Sequence, residues 1–299
     1  MIIKVVGMEK NQTIFSWHSA KMAPYIFILP SVLILAGLIV YPTILAIKTS
    51  LHGIGGYSFE SYQEIFSDSL VWQTLFNTCI FAIASVIGHY ILGLMIALLT
   101  NDQIYAKSLF RVGFLIPWMF PAVVPGIIWR WMFHGQFGIF NSFLQHLGLI
   151  ENYIPWLANP YTALLMVIIA NIWRGFPLYV ATLLAGLQTI PKSIYEAAKV
   201  DGANWFHSFW YVTLPQLKGI SLVMILTDTI WQFNNFTMVQ TMTMGGPSHV
   251  SEVLPTLIYK NAFIYNDYSL ACALGIFLLG IMLIPGAIYV RHSLKRDNQ

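Results

Sequence analysis

The sequence predicts an all-α, polytopic membrane protein with six transmembrane helices, and three observations carry that prediction. Of the 299 residues, 57% are hydrophobic and only 9% are charged. A soluble domain typically carries about 25% charged residues, so too few remain here to cover a water-facing surface of this size. Six stretches supply the roughly 20 mostly apolar residues that a spanning helix needs. Positive charge, finally, falls almost entirely on one side of those stretches.

The spans are 24–47, 74–99, 109–132, 161–186, 217–239 and 269–290. They are read as helices because a lipid-exposed backbone must satisfy its own hydrogen bonds, and the alternating segments of a barrel are missing. Residues 1–23 form an N-terminal tail and 292–299 a C-terminal one. The first apolar run is long enough to span and has no small-residue cleavage site, so it is expected to stay in the mature protein rather than act as a signal peptide. An even number of spans puts both termini on one side.

Lysine and arginine decide which side that is. Lys4, Lys10, Lys21, Lys107, Arg111, Lys192, Lys199, Lys218, Arg291, Lys295 and Arg296 flank one face, and only Lys48, Arg130 and Lys260 the other. Both termini and the 187–216 loop are therefore expected in the cytoplasm. Trp72, Trp129, Trp131 and Trp156 gather near the outer span ends, as an interfacial aromatic belt does. Pro117, Pro121 and Pro125 recur every four residues in the third span. That spacing predicts a kinked or partly unwound helix. The outer loop 133–160 has room for one short surface helix.

The 187–216 loop is a polar island between two apolar spans. Pro191 suits a first helical turn, and Ser193-x-x-Glu196 has capping-box spacing. Ala197 and Ala198 favour helix, and Gly202 permits the left-handed turn that ends it. A second short helix is expected from Ala203 to about Phe209. Its Trp205, Phe206, Phe209 and Trp210 suit a segment lying on the membrane face.

Inside the spans, ionisable groups are costly. Arg174 sits mid-way along the fourth span, in Trp173-Arg-Gly-Phe-Pro177. Asp228 sits in the fifth, with Gln232 and Asn235 on the same helix face at i, i+4 and i+7. Such a stripe faces a cavity or a partner helix. Two readings stand side by side: Arg174 and Asp228 pair and lock two helices, or they line a transport path. His89 in the second span reads as a packing or hydrogen-bonding residue. Cys79 and Cys272 lie in apolar runs, as small packing residues do. No nucleophile, paired acids or metal-ligand spacing argues for catalysis or a metal site.

Leu187-Gln-x-Ile-Pro191, then Glu196-Ala-Ala, Asp201-Gly-Ala and Leu214-Pro215, closely resembles the "EAA" coupling loop of binding-protein-dependent ABC importer permeases. Phe27-Ile-Leu-Pro30, Tyr41-Pro42, Met244-Gly-Gly-Pro247 and Tyr259-x-x-Ala262-Phe263 resemble the carbohydrate (maltose/oligosaccharide) branch of that family. The resemblance spans residues 24–291. It implies a six-helix permease domain whose cytoplasmic EAA loop meets an ATPase through Glu196, Ala197, Ala198, Asp201, Gly202, Leu214 and Pro215. The implied partners are a second homologous permease, two ATP-binding cassette subunits and a periplasmic or extracellular solute-binding protein. A carbohydrate substrate and the bilayer complete the set, and no nucleic acid is expected. ATP and Mg would be bound by the partner ATPase, because the chain has no Gly-x-x-x-x-Gly-Lys-Ser/Thr loop; no cofactor is expected in the chain itself, which reads as a transporter subunit rather than an enzyme.

By the same resemblance, sugar-binding positions fall on Trp118, Ala122, Arg174, Gly175, Leu178, Asp228, Gln232 and Asn235. Asn235 and Gly175 match the family's residues. Gln232 replaces a shorter amide, and Trp118 another aromatic able to stack on a pyranose. Arg174, Leu178 and Asp228 depart from the neutral-sugar pattern. A guanidinium suits a carboxylate, which points to an acidic, uronate (alginate-like) oligosaccharide. The rival reading is an integral-membrane enzyme acting on a lipid-linked sugar, which would have no use for the EAA surface.

Overall fold

The computed structural model describes residues 17–53, 56–101 and 107–297. The tail lysines Lys4 and Lys10 lie outside the described residues. The chain is almost entirely helical, with one two-residue hairpin pairing His52–Gly53 (β1) and Gly56–Tyr57 (β2). Among the described residues, four helices are long and apolar enough to cross a membrane: Phe27–Ser50, Ser69–Asn101, Ala163–Gln188 and Trp205–Phe233. A bent pair brings the number to five if it is one span. The sixth predicted span lies within α14 (Tyr268–Asp297), whose apolar stretch Tyr268–Ile284 is shorter.

The first span is α1 (Trp17–Leu35) and α2 (Tyr41–Ser50), joined by a π-turn over Ala36–Val40. Pro42 explains the wide turn. It has no N–H to give to the preceding turn, and the backbone bond shifts to Tyr41 N–H and the Ala36 carbonyl. The Thr43 hydroxyl takes the Ile39 carbonyl at 2.7 Å. This span buries almost nothing within the chain: Phe27 is 82% exposed and Leu38 72%. Its apolar sides are left for lipid or a partner chain.

After α3 (Glu60–Ser67), α4 (Ser69–Asn101) runs the full depth of the protein and packs most extensively along α8 (Ala163–Gln188). Small residues make the close approach possible. A Cβ at Gly93 would overlap the Tyr179 side chain and come within 3.2 Å of its backbone, and one at Gly175 would overlap the His89 ring.

The third predicted span is not a single helix. It is α5 (Lys107–Met119) and α6 (Val123–Met132), meeting at 106°. Pro117 is tolerated inside α5, but Pro121 falls in the break, where its ring would collide with a continuing turn. The expected kink is thus a full corner. Beyond it, the outer loop forms the one short helix expected of it, α7 (Ile139–His146). Fully buried Asn141 pins this loop, accepting from Trp156 Nε1 at 2.8 Å and donating to the Ile154 carbonyl at 2.9 Å. Trp156 and Trp129 are half-buried and pack against the core around Phe81, Phe133 and Met242. Trp131, 63% exposed, is free to serve the aromatic belt.

The polar island forms α9 (Lys192–Val200) and α10 (Trp205–Ser208). A second π-turn, Phe209–Thr213, leads into α11 (Leu214–Phe233). The chain then continues through α12 (Thr237–Met242) and α13 (Leu254–Phe263) to α14. The loops predicted to share the outer side do come together at one end. Asn77 near the start of α4 donates to the carbonyls of His249 and Glu252, at 3.3 and 3.1 Å. Leu254 N–H donates to Thr78 Oγ1 at 2.9 Å.

The α4–α8 contact yields a prediction. Gly93→Ala should lower the stability of the purified chain in detergent by about 1–3 kcal/mol, as overpacking does. Gly275→Ala, which meets no atom within 4 Å, should be neutral or gain up to about 1 kcal/mol. Thermal unfolding of the two variants separates them.

Candidate functional site

Two sites carry the sequence-predicted residues: the polar island at one end, and a buried polar joint between α4, α8 and α11.

At the island, α9 begins at Pro191 as N-cap, without a side-chain capping bond. The expected Ser193–Glu196 capping box does not form, because Ser193 already sits in the first turn, two residues past the N-cap position from which a side chain accepts from the free amides. The other end behaves as expected. Gly202 has φ +82°. Its N–H bonds the Lys199 carbonyl at 3.0 Å, and Ala203 N–H bonds that of Ala198 at 2.9 Å, the paired bonds of a Schellman stop. Asn204 then caps α10, accepting from His207 N–H at 2.9 Å.

No residue of α9 is buried. Glu196, Ala197, Asp201, Gly202 and Pro215 are exposed, while Ala198 and Leu214 are half-buried. Val200 is 88% exposed. Beside this surface lies a recess of about 400 Å³ lined by Ala198, Asp201, Gly202, Asn204, His207 and Tyr211. The helix is nonetheless anchored from beneath, since Ile194 and Tyr195 pack on the cluster around Leu94, Leu183, Leu187 and Leu217. Tyr195 and Thr213 hydroxyls meet at 3.1 Å.

Leu214-Pro215 repeats the construction of Tyr41-Pro42. Leu214 N–H reaches back five residues to the Phe209 carbonyl, and Pro215 follows with no N–H to donate. The wide turn keeps the helical path unbroken from Trp205 to Phe233. The island is thereby joined rigidly to the helix that bears Asp228.

The joint is centred on Asp228, the one carboxylate within the six predicted spans. Its Oδ2 lies 2.8 Å from His89 Nδ1 and accepts from the Tyr179 hydroxyl at 3.0 Å. Its Oδ1 accepts from Gln232 Nε2 at 2.7 Å. Gln232 Oε1 accepts from Asn171 Nδ2 at 2.8 Å and from Asn235 Nδ2 at 3.0 Å. Asn171 also donates to Ser85 Oγ at 2.9 Å, and its Oδ1 accepts from Asn235 at 3.0 Å. Asp228, Gln232, Asn171 and His89 are all buried. The predicted i, i+4, i+7 stripe thus comes together, but Asp228 and Gln232 turn towards α4 and α8.

His89 completes the arrangement. Its Nε2 lies 3.0 Å from the Asn171 carbonyl, which only accepts, so Nε2 carries a hydrogen. Nδ1 faces a carboxylate that already accepts from Tyr179. A proton must therefore lie between Nδ1 and Oδ2, whichever atom holds it more closely. The pair is neutral as a unit, as a low-dielectric setting demands.

Arg174 has a different fate. It is half-buried, and no carboxylate among the described residues pairs with it. Its Nε is buried without a hydrogen-bond partner. The Arg174–Asp228 lock, one of the two sequence readings, does not form because His89, Tyr179 and Gln232 already occupy Asp228. Arg174 and Leu178, one turn apart, share a half-buried side of α8. Gly175 and Tyr179, on the neighbouring side, meet His89 and Gly93. Trp118 and Ala122 flank the α5–α6 corner, the first 49% exposed and the second half-buried.

A cavity of about 440 Å³ lies elsewhere, between Arg130, His134, Pro155, Thr243 and Pro247, and includes none of the predicted path residues. The nearby Met244-Gly-Gly-Pro247 motif is held by Ser251, whose hydroxyl donates to the Gly246 carbonyl, and next to it fully buried Glu252 bonds His249 and lies 2.8 Å from Lys260 Nζ. Among the described residues no group of three His, Cys, Asp or Glu is placed to hold a metal. Sequence reasoning missed Asn171, Tyr179 and Ser85 and gave His89 no partner. The available signal was the run of polar and small residues, Ser85, Gly88, His89 and Gly93, along one side of the second span.

Residues 89–295 match the family described as the binding-protein-dependent transport system inner membrane component. This chain belongs to that family. The permease SmoG of the Agrobacterium fabrum sulfoquinovosyl glycerol transport system is 32% identical, over 93% of this chain and 92% of that protein. The trehalose/maltose permease MalF of Thermococcus litoralis is 30% identical, over 97% of this chain and all of that protein. In fold, the permease superimposes on a chain from a bacterial alginate ABC transporter solved with an alginate pentasaccharide-bound periplasmic protein. The TM-score is 0.81 at 20% identity, covering 96% of this chain and 99% of that one. Membership of the permease family displaces the membrane-enzyme reading.

The two fates of Asp228 and Arg174 predict different coupling. In double-mutant cycles on chain stability, His89→Leu with Asp228→Asn should couple by about 1–3 kcal/mol. Arg174→Gln with Asp228→Asn should add to within about 0.5 kcal/mol. Chemical unfolding in detergent checks both.

Proposed function

We propose that this permease forms half of the translocation pathway of an ATP-driven importer of carbohydrate, and that the carbohydrate is an acidic oligosaccharide of the uronate type. It works with a second homologous permease, two ATPase subunits that bind ATP and Mg, and a solute-binding protein on the outer side. The 187–216 loop and both termini face the cytoplasm of the inner membrane. The coupling half of this reading is supported by α9, a helix with a fixed stop and a buried anchor that leaves its Glu196–Ala197 surface free. That is the form a rigid plug needs in order to enter a cleft of a partner. Relatives named for carbohydrate transport support the substrate class.

One observation carries the acidic substrate: the guanidinium of Arg174 is half-buried in a span with no internal counter-ion among the described residues. An uncompensated cation at that depth is costly to keep. A transported carboxylate that compensates it in passing gives the cost a use, and the planar fork of arginine fits a carboxylate oxygen pair. Trp118 supplies an aromatic face for the pyranose ring. In this reading the α5–α6 corner counts as one of six spans, and Arg174 and Trp118 face the path between the two permeases.

Two experiments test the reading. In the reconstituted complex with its binding protein, uronate oligosaccharides should stimulate ATP hydrolysis more than neutral ones across a sugar panel. Glu196→Lys and Gly202→Val should abolish that stimulation while the chain still inserts. Stimulation equal to the unaltered complex would refute the docking role of α9. Orientation is tested by single cysteines in a background lacking Cys79 and Cys272. In whole cells, a thiol at Tyr265 should react with an impermeant reagent and one at Lys199 should not.

A further inference from the structure

We propose that the cavity beside Arg130 and His134 is a carboxylate-binding subsite, separate from Arg174, that takes one uronate residue of the incoming oligosaccharide. The choice of a sugar acid as its occupant rests on the reading of the substrate as acidic. The preference for a carboxylate is argued from the cavity itself. Its volume, about 440 Å³, suits a small ligand. Arg130 and His134 stand between two walls, one of Pro155, Leu157 and Ala158, the other of Thr243 and Pro247. Both walls are tied in place. Buried Asn141 donates to the His134 carbonyl at 3.4 Å and to that of Ile154 at 2.9 Å, which joins the His134 turn to the first wall. A Cβ at Gly135 would come within 3.0 Å of Pro155 Cα, so the two segments already touch. Fully buried Ser251 holds the second wall, meeting Thr243 Oγ1 at 2.8 Å and donating to the Gly246 carbonyl.

The polar groups of the cavity favour an anion. His134 Nδ1 accepts from Gln136 N–H at 3.2 Å, so the ring hydrogen is on Nε2, which is left as a donor. The Phe137 ring stacks on the imidazole and fixes its plane. Arg130 gives one N–H to the Thr241 carbonyl at 3.5 Å and forms no ion pair among the described residues, so most of its fork is free. No acid is among the lining residues. Glu252, in the same segment as the second wall, is taken by Lys260 and His249. A guanidinium and an imidazole N–H with no acid beside them suit a carboxylate, which accepts from both. The proline, leucine and alanine surfaces suit the C–H face of a pyranose. The place fits too. Ala122 is the N-cap of α6 and Arg130 lies in its last turn, roughly 12 Å further along the axis. The cavity and the α5–α6 corner, with Trp118 and Ala122, thus stand at the two ends of one helix.

The test is equilibrium binding to the reconstituted permease–ATPase complex without its binding protein. One ligand is a uronate disaccharide, the other the same disaccharide with its carboxyl groups reduced to alcohols. With Arg174→Gln in place, the uronate should still bind more tightly than the reduced ligand. Adding Arg130→Gln should weaken uronate binding by about 10- to 150-fold, the range of one charge-assisted contact. It should leave the reduced ligand and the thermal unfolding midpoint unchanged. Loss of all preference for uronate in Arg174→Gln alone overturns the proposal and leaves the acidic-sugar reading standing. Arg130→Gln without effect on uronate overturns it as well, and so does equal loss of both ligands, the mark of a damaged loop. If Arg130→Gln instead weakens only the association with the solute-binding protein, the cavity is a protein contact and the proposal falls. An unaltered complex that binds both ligands equally rejects the acidic-sugar reading, and this inference with it.

Discussion

A carboxylate within a bilayer has to be neutralised and has to have its lone pairs occupied, and Asp228 meets both conditions where α4, α8 and α11 meet. The cost of leaving such a group exposed to a low-dielectric interior is several kcal/mol. Each neighbour therefore has to be in place at once: His89 from α4, Tyr179 from α8 and Gln232 from its own helix. The demand propagates outward. His89 fits only because position 175 is glycine, and Tyr179 reaches Asp228 only because position 93 is glycine. Asn171 and Asn235 then donate to the amide oxygen of Gln232, and Ser85 accepts from Asn171. Two of the close contacts between α4 and α8 are thus arranged around one acidic side chain.

This joint is also tied mechanically to the 187–216 loop. The Leu214-Pro215 π-turn keeps the backbone helical from Trp205 through Asp228, so α10 and α11 move as one body. Tyr195 ties α9 to the same turn through Thr213. Displacing α9 therefore displaces the helix that bears Asp228, Gln232 and, at its end, Asn235. A bonded polar network resists gradual shear, because partial separation leaves buried groups unsatisfied while full rearrangement does not. The consequence is a discrete step rather than a smooth slide. At the other end, Asn77 and the buried Glu252–Lys260 pair hold the outer loop to α4 and α13. The polar joint lies between these two tethered ends.

Much of the fold was legible because lipid imposes simple rules. Apolar length gave the helix positions, charge bias gave the grouping of loops, and Gly202 gave the helix stop. What escaped was governed by geometry that composition does not encode. The proline series predicted a kink, but whether Pro121 bends or breaks the span depends on what α8 and α12 offer to pack against, and they support a 106° corner. The capping box failed because a motif specifies spacing, not where the helix starts; with Pro191 as N-cap, Ser193 has no free amide within reach. Trp156 was assigned to the interface by position, yet Asn141 supplies its indole with a buried acceptor.

The site shows the same limit more sharply. The stripe of Asp228, Gln232 and Asn235 was visible from spacing, and so was the oddity of Arg174. Pairing opposite charges is the natural inference when each is seen alone in its span. It fails here because histidine carries ring N–H donors, and so can occupy a carboxylate without appearing in any count of charge. The sequence carried His89 as one polar residue among apolar ones. Only the placement of its two nitrogens, one on a carbonyl and one on a carboxylate, reveals that Asp228 is occupied from α4 and not by Arg174. The guanidinium on α8 and the carboxylate on α11 thus sit in separate surroundings, and each has to be accounted for by its own neighbours.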